Sequence, residues 1–209
     1  MDFNLQGKVV LITGGSRGLG RAMAQAFAEA GANLAIVSRK LPACEETAAE
    51  LAKLGVETFA HRCHVANWDE IFKGPFRLSA LVGARMHRGD GGSIINISSI
   101  ASLEASPYAL PYAGAKAALN VLTTGFAAAY SPNVRVNTIC VGPFATDVAE
   151  HWADPPDHDN PGWTKGGMRV GLPKEMVPAA LWLASDTSSF TNGALIRIDG
   201  GPVRARLRP

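Results

Sequence analysis

The stretch Val9-Val10-Leu11-Ile12 is a continuous apolar run of strand length, and it feeds directly into the glycine-rich turn Thr13-Gly14-Gly15-Ser16-Arg17-Gly18-Leu19-Gly20. Beyond the turn, Leu19, Ala22, Met23, Ala26, Phe27 and Ala30 recur at the spacing of one helix face. A buried strand, a tight turn and an amphipathic helix in that order restrict the chain to an α/β architecture. The alternation continues with strands at Leu34–Val37 and around Thr58–Ala60, separated by a helix from near Pro42 to Leu54. Further on come a strand at Ser93–Ile97, a helix from about Tyr112 to Tyr130, a strand at Val134–Ile139, a helix over Lys174–Ala184 and a last strand at Ala194–Ile198. The pattern predicts a Rossmann-like, doubly wound parallel sheet with helices on both faces, in one domain spanning 1–209.

With 209 residues, 47% of them hydrophobic, the chain can bury one substantial core. Twenty basic residues against 18 acidic ones leave a net charge of +2, which provides no electrostatic case for nucleic acid or for an anionic membrane surface. The basic stretch 202–209 reads as a solvated tail. Cys44, Cys63 and Cys140 form neither a disulfide framework nor a Cys-x-x-Cys metal pair. No run reaches the ~20 apolar residues that span a bilayer, so the expectation is a cytoplasmic, soluble protein. His158 and the acidic residues of the breaker-rich loop 154–162 lack regular ligand spacing, and no metal is expected.

Backbone N–H groups at the start of the first helix, together with its dipole, favour an anion at the turn Gly14–Gly20. The turn could also be purely structural, but its place after an apolar strand points to a dinucleotide. Its Gly-x-x-x-Gly-x-Gly spacing differs from the usual Gly-x-Gly-x-x-Gly. The second strand ends Val37-Ser38-Arg39-Lys40, with no acid to meet ribose hydroxyls. Arg39 and Arg17 are instead suited to a 2′-phosphate, which favours NADP(H) over NAD(H). Tyr112 and Lys116 stand four residues apart on one helix face, where an ammonium favours the phenolate.

Taken together, these motifs resemble the short-chain dehydrogenase/reductase family over nearly the whole chain. Thr13–Gly20 matches the family's Thr-Gly-x-x-x-Gly-x-Gly turn, so Gly14, Ser16, Arg17, Gly18, Leu19 and Gly20 are implied cofactor contacts, joined by Ser38 and Arg39. Tyr112 and Lys116 match the catalytic Tyr-x-x-x-Lys, and Ser99, thirteen residues before Tyr112, matches the serine that polarises the substrate. Ser98 is then structural. The resemblance implies that Gly142, Phe144 and Thr146 lie along the nicotinamide, although Val141 replaces the usual proline. His64 and Val65 would meet the adenine, His64 standing where an Asp is common. Residues 147–171 would form a lid over a small carbonyl or alcohol substrate. A homotetramer or homodimer is implied as well.

One block of the family pattern is missing. Between the third strand and Ser93 the family has a helix, a strand ending in Asn-Asn-Ala-Gly, and a long helix bearing a catalytic asparagine. Residues 61–92 provide only a link, one helix from about Phe76 to His87 and a glycine-rich turn, and the family pattern resumes abruptly at Lys73-Gly74-Pro75-Phe76. The absent strand normally lies beside the first. Its loss predicts either a gap or direct pairing of the first strand with Ser93–Ile97, and the cost of unpaired backbone groups favours re-pairing. That shift would draw Ser99 and Tyr112 toward the phosphate turn. A catalytically silent nucleotide binder is the competing reading.

Overall fold

In the computed structural model, residues 3–63, 73–104, 107–152 and 154–201 are described. Six strands and five α-helices follow one another: β1 (Val9–Thr13), α1 (Gly18–Glu29), β2 (Asn33–Ser38), α2 (Leu41–Ala52), β3 (Thr58–Arg62), α3 (Lys73–Arg88), β4 (Gly92–Ser99), α4 (Leu110–Tyr130), β5 (Val134–Val141), α5 (Pro173–Ala184) and β6 (Leu195–Ile198). Every strand pairing is parallel, as an alternating βα chain requires. The elements agree with the sequence reading, with ends displaced by a few residues.

The strands form two sheets of three, ordered β1-β2-β3 and β4-β5-β6. The expected re-pairing of β1 with Ser93–Ile97 is therefore wrong: among the described residues no strand joins β1 to β4. Two physical reasons account for this. The expectation charged β1 with buried, unsatisfied backbone groups, but Val9 is 71% and Leu11 46% exposed, so water reaches this strand and can satisfy them. Moreover, α1 and α5 pack side by side across the split. Packed helices stand ~8–10 Å apart, about two strand spacings of ~4.8 Å, so joining β1 directly to β4 would force α1 into α5.

A single core bridges the split on the face beneath these helices. Ile12, Met23, Phe27, Leu34 and Ile36 from the first half join Ile139, Met176, Ala180 and Leu183 from the second. Polar bonds fix α5 to its own sheet: the Leu183 carbonyl accepts from Ser93 Oγ at 2.8 Å and Arg135 Nη2 at 2.9 Å. Side chains of β5 alternate accordingly. Ile139 and Val141 enter this core, while Val134 and Val136 pack with Ile94, Phe126 and Tyr130 in a second cluster under α3 and α4. Phe76 of α3 meets Phe126 at 5.5 Å between ring centroids, and Tyr130 donates to the Ala80 carbonyl at 3.0 Å.

Helices cover both faces only over the β4–β6 half. On the other half, Leu11, Ala35 and Phe59 align in register across β1, β2 and β3, and Phe59 is 62% exposed. Among the described residues α3 and α4 pack on β4 and β5, and this face of β1–β3 has no such cover, as expected of a chain short of the helices that flank the missing strand. Two results should follow. Amides of Val9–Ile12 should exchange with solvent faster than those of Val136–Ile139 in β5, which has a strand on each side. Leu183→Ala should cost ~2–5 kcal/mol in denaturant unfolding, against well under half of that for Phe59→Ala on the open face.

Candidate active site

The turn after β1 is built for close approach. Gly14 sits at φ 75°, and a side chain at Gly20 would drive its Cβ into the Gly14 carbonyl oxygen, so α1 can start this close to the strand only with glycine there. Arg17 precedes α1 in an extended conformation, and no side chain caps the helix. The first-turn N–H groups are therefore left for an anion. Ser16 Oγ lies 2.8 Å from Ser38 Oγ, which lies 3.1 Å from Cys44 Sγ, a polar relay tying the turn to the end of β2 and the start of α2.

A cavity of about 280 Å³ opens where the two half-sheets face each other. Gly14, Arg17, Gly18 and Leu19 line it from one half; Gly142, Phe144, Thr146, Asp147 and Trp152 line it from the other. The sequence reading anticipated the first group and, within the second, Gly142, Phe144 and Thr146. It missed the specific part of Asp147, whose Oδ2 accepts from Arg17 Nη1 at 2.7 Å. Asp147 fell at the start of the segment expected to cover the substrate, but nothing in its spacing announced a partner 130 residues away. Arg39, at the end of β2, enters none of the ion pairs formed among the described residues. His64 and Val65 lie outside the described residues.

Ser99, Tyr112 and Lys116 do not line this cavity. Ser99 ends β4 opposite Val141 of β5, adjacent in sequence to Gly142, and its Oγ accepts from the Ala101 N–H at 3.2 Å. Ser98 points to the other face and donates to the Lys116 carbonyl at 3.2 Å, seating β4 on α4. Lys116 Nζ donates to the Ile97 carbonyl at 2.8 Å and stands 5.7 Å from the Tyr112 ring centroid. Tyr112 is half exposed. Serine, tyrosine and lysine thus gather at the C-terminal end of β4 and the first turns of α4, with the ammonium engaged by the strand backbone. No group of three or more His, Cys, Asp or Glu among the described residues is placed to hold a metal ion.

The segment after β5 is more ordered than a bare loop. Phe144 bridges to Gly171, Pro156 to Thr164 and Trp163 to Arg169, while Thr164 and Val170 are buried. Asp154 Oδ1 accepts from the Gly166 N–H at 2.8 Å.

Two family descriptions match the chain and meet at 72–74. "Short chain dehydrogenase" covers residues 8–74, and "Enoyl-(Acyl carrier protein) reductase" covers 72–202, well over half of the chain. The chain belongs to the short-chain dehydrogenase/reductase family. Sorbose reductase of Candida albicans is 30% identical over 249 residues, covering 95% of this chain and 88% of that protein. The NAD-dependent glycerol dehydrogenase of Listeria innocua is 30% identical over 243 residues, covering 96% and 95%. An alignment 249 positions long against a chain of 209 leaves at least 40 positions of the sorbose reductase without a counterpart here. Among solved structures, the NADPH-dependent 3-quinuclidinone reductase of Rhodotorula rubra superposes with a TM-score of 0.81 at 26% identity, covering 96% and 92%. No helix among the described residues is long and apolar enough to cross a membrane.

The Lys116 ammonium is pushed below its ordinary 10.5, chiefly by burial, with its neighbour Cys140 opposing the shift. Between the lowered folded value and 10.5 the unfolded chain binds more protons than the folded one. The cost of burying this charge is thus complete below the folded value and is relieved as pH rises through it. Thermal unfolding of the protein and of Lys116→Met from pH 7 to 10 should show the unsubstituted protein gaining on the variant as pH rises; a constant difference would contradict the shift.

Proposed function

We propose that this member of an oxidoreductase family moves hydride between NADP(H) and a carbonyl or secondary alcohol. The observation that carries the reading is the cavity shared by the uncapped start of α1 and the Gly142–Thr146 segment. It offers backbone donors to a pyrophosphate on one side and an apolar wall, Phe144, on the other. Gly14, Ser16, Gly18, Leu19 and Gly20 would hold the phosphates, Ser38, Arg39 and Arg17 the adenosine ribose with its 2′-phosphate, and Gly142, Phe144 and Thr146 the nicotinamide. Relatives include an NAD-dependent and an NADPH-dependent enzyme, so the preference rests on this chain's own residues. Arg39 in place of an acid at the end of β2 supports NADP(H).

The cofactor, when bound, supplies the hydride. Ser99 would hydrogen-bond the substrate oxygen, Tyr112 would pass it a proton, and Lys116 would hold the nicotinamide ribose and place positive charge beside the phenol. For Lys116 to do so, its ammonium must exchange the Ile97 carbonyl for the ribose or the phenol. Residues 147–171 would close over the substrate, Trp152 and Trp163 giving that cover an aromatic content suited to an apolar carbonyl compound.

Titration calorimetry tests the cofactor assignment. NADPH should bind the unsubstituted protein, and Arg39→Ala should weaken it about 10- to 150-fold by removing a charge-assisted contact, with NADH unaffected. Turnover over a carbonyl panel tests the chemistry: Tyr112→Phe should lower kcat by ~10²–10⁴. Binding without any turnover would place this chain among silent nucleotide binders, and binding of neither nucleotide would end the enzymatic reading.

A further inference from the structure

The Arg17–Asp147 pair joins the two sides of the cavity, and its chemistry bears on which dinucleotide enters. Arg17 ends the phosphate turn and Asp147 follows directly on Thr146; Nη1 and Oδ2 are 2.7 Å apart, with the two side chains 59% and 44% exposed. Asp147 is seated closely against the turn, since a Cβ on Gly18 would meet Asp147 Oδ1 and Thr146 at 3.5 Å. No other ion pair among the described residues lies in this cavity. An exposed pair of this kind contributes at most ~1 kcal/mol, small enough for an incoming phosphate to break.

We infer that Asp147 is a specificity-determining residue: it pairs with Arg17 and competes with the cofactor's 2′-phosphate for that guanidinium. The inference rests on the cavity being the dinucleotide site. A phosphorylated cofactor must draw Arg17 off Asp147 toward Ser38 and Arg39, whereas a cofactor with a bare ribose leaves the pair intact. Because Asp147 leads into the segment containing Val148 and Trp152, which also line the cavity, breaking the pair frees that wall at the moment NADP(H) binds. Asp147 thereby reduces the advantage that two arginines would otherwise give to NADP(H).

The charge of Asp147 also repels the pyrophosphate common to both cofactors, so the informative quantity is the ratio of NADPH to NADH affinity and not either affinity alone. Asp147→Asn keeps the shape and removes the charge. Calorimetric titration of the purified protein with each nucleotide should show this ratio rising about two- to fivefold in Asp147→Asn, the equivalent of an exposed ion pair. In an Arg17→Ala background the same substitution should leave the ratio unchanged. An unchanged ratio in the single variant would overturn the inference. So would a falling ratio, which would make Asp147 a residue that orients Arg17 for the phosphate. Binding of neither nucleotide by any variant would remove the dinucleotide site itself, whereas equal gains for both nucleotides would leave that site standing and overturn only the role of Asp147.

Discussion

The packing of α1 against α5 is the interaction on which the rest of this structure depends. In a continuous doubly wound sheet, hydrogen-bonded ladders hold neighbouring strands in place and helices cover them. Here no ladder joins β1 to β4, so the position of one half-sheet relative to the other is set by side chains alone: Met23 and Phe27 from below the first half, Met176, Ala180 and Leu183 from below the second. Close-packed apolar contacts can do this because a buried interior has few voids and resists displacement. The cavity between Gly14–Leu19 and Gly142–Trp152 is a consequence of that contact, since its two walls belong to different halves.

The distribution of what remains and what is lost follows from sheet topology. Ligands of doubly wound folds sit beyond the C-terminal ends of the strands. β1, β2 and β5 end at Thr13, Ser38 and Val141, so the glycine-rich turn, the Ser38–Arg39 corner and the Gly142–Thr146 segment all lie at that edge. α4 keeps its seat on β4 and β5 through buried polar contacts, Thr123 Oγ1 to Thr138 Oγ1 at 2.7 Å and Asn96 Nδ2 to Thr123 at 2.8 Å. What the shortening strips away is cover. Val9, Leu11 and Phe59 would be core residues beneath a further helix, and they stand in solvent.

Most of the fold was legible because apolar runs and helical periodicity are local signals. Val9–Ile12, the Leu19-to-Ala30 stripe and the Val134–Ile139 run each announced an element that the structure contains, and the abrupt resumption at Lys73 coincides with the seam between the two family matches at 72–74. The response of the sheet to its missing strand was not legible. Re-pairing was expected because backbone hydrogen bonds were weighed alone, whereas the outcome turned on the width of two helices packed over the split, a quantity no strand sequence carries. The same holds within the site. Tyr112, Lys116 and Ser99 are expected from the family resemblance, but the engagement of Lys116 by the Ile97 carbonyl and of Arg17 by Asp147 depends on which residues the tertiary fold leaves within reach.

Those two engagements share a cause. Each is a cation held by an acceptor that the tertiary fold, and not the local sequence, brings within reach. Lys116 takes a backbone carbonyl at the edge of the split, at a desolvation cost that lowers its pKa; Arg17 takes a carboxylate at the cavity mouth, where water screens the pair. The carbonyl that holds Lys116 also fixes where its charge stands relative to Tyr112: the ammonium lies over the ring, 5.7 Å from its centre. The position of Lys116 is therefore set by the backbone of β4, which holds the ammonium at the Ile97 carbonyl, and not by the phenol four residues before it on the same helix.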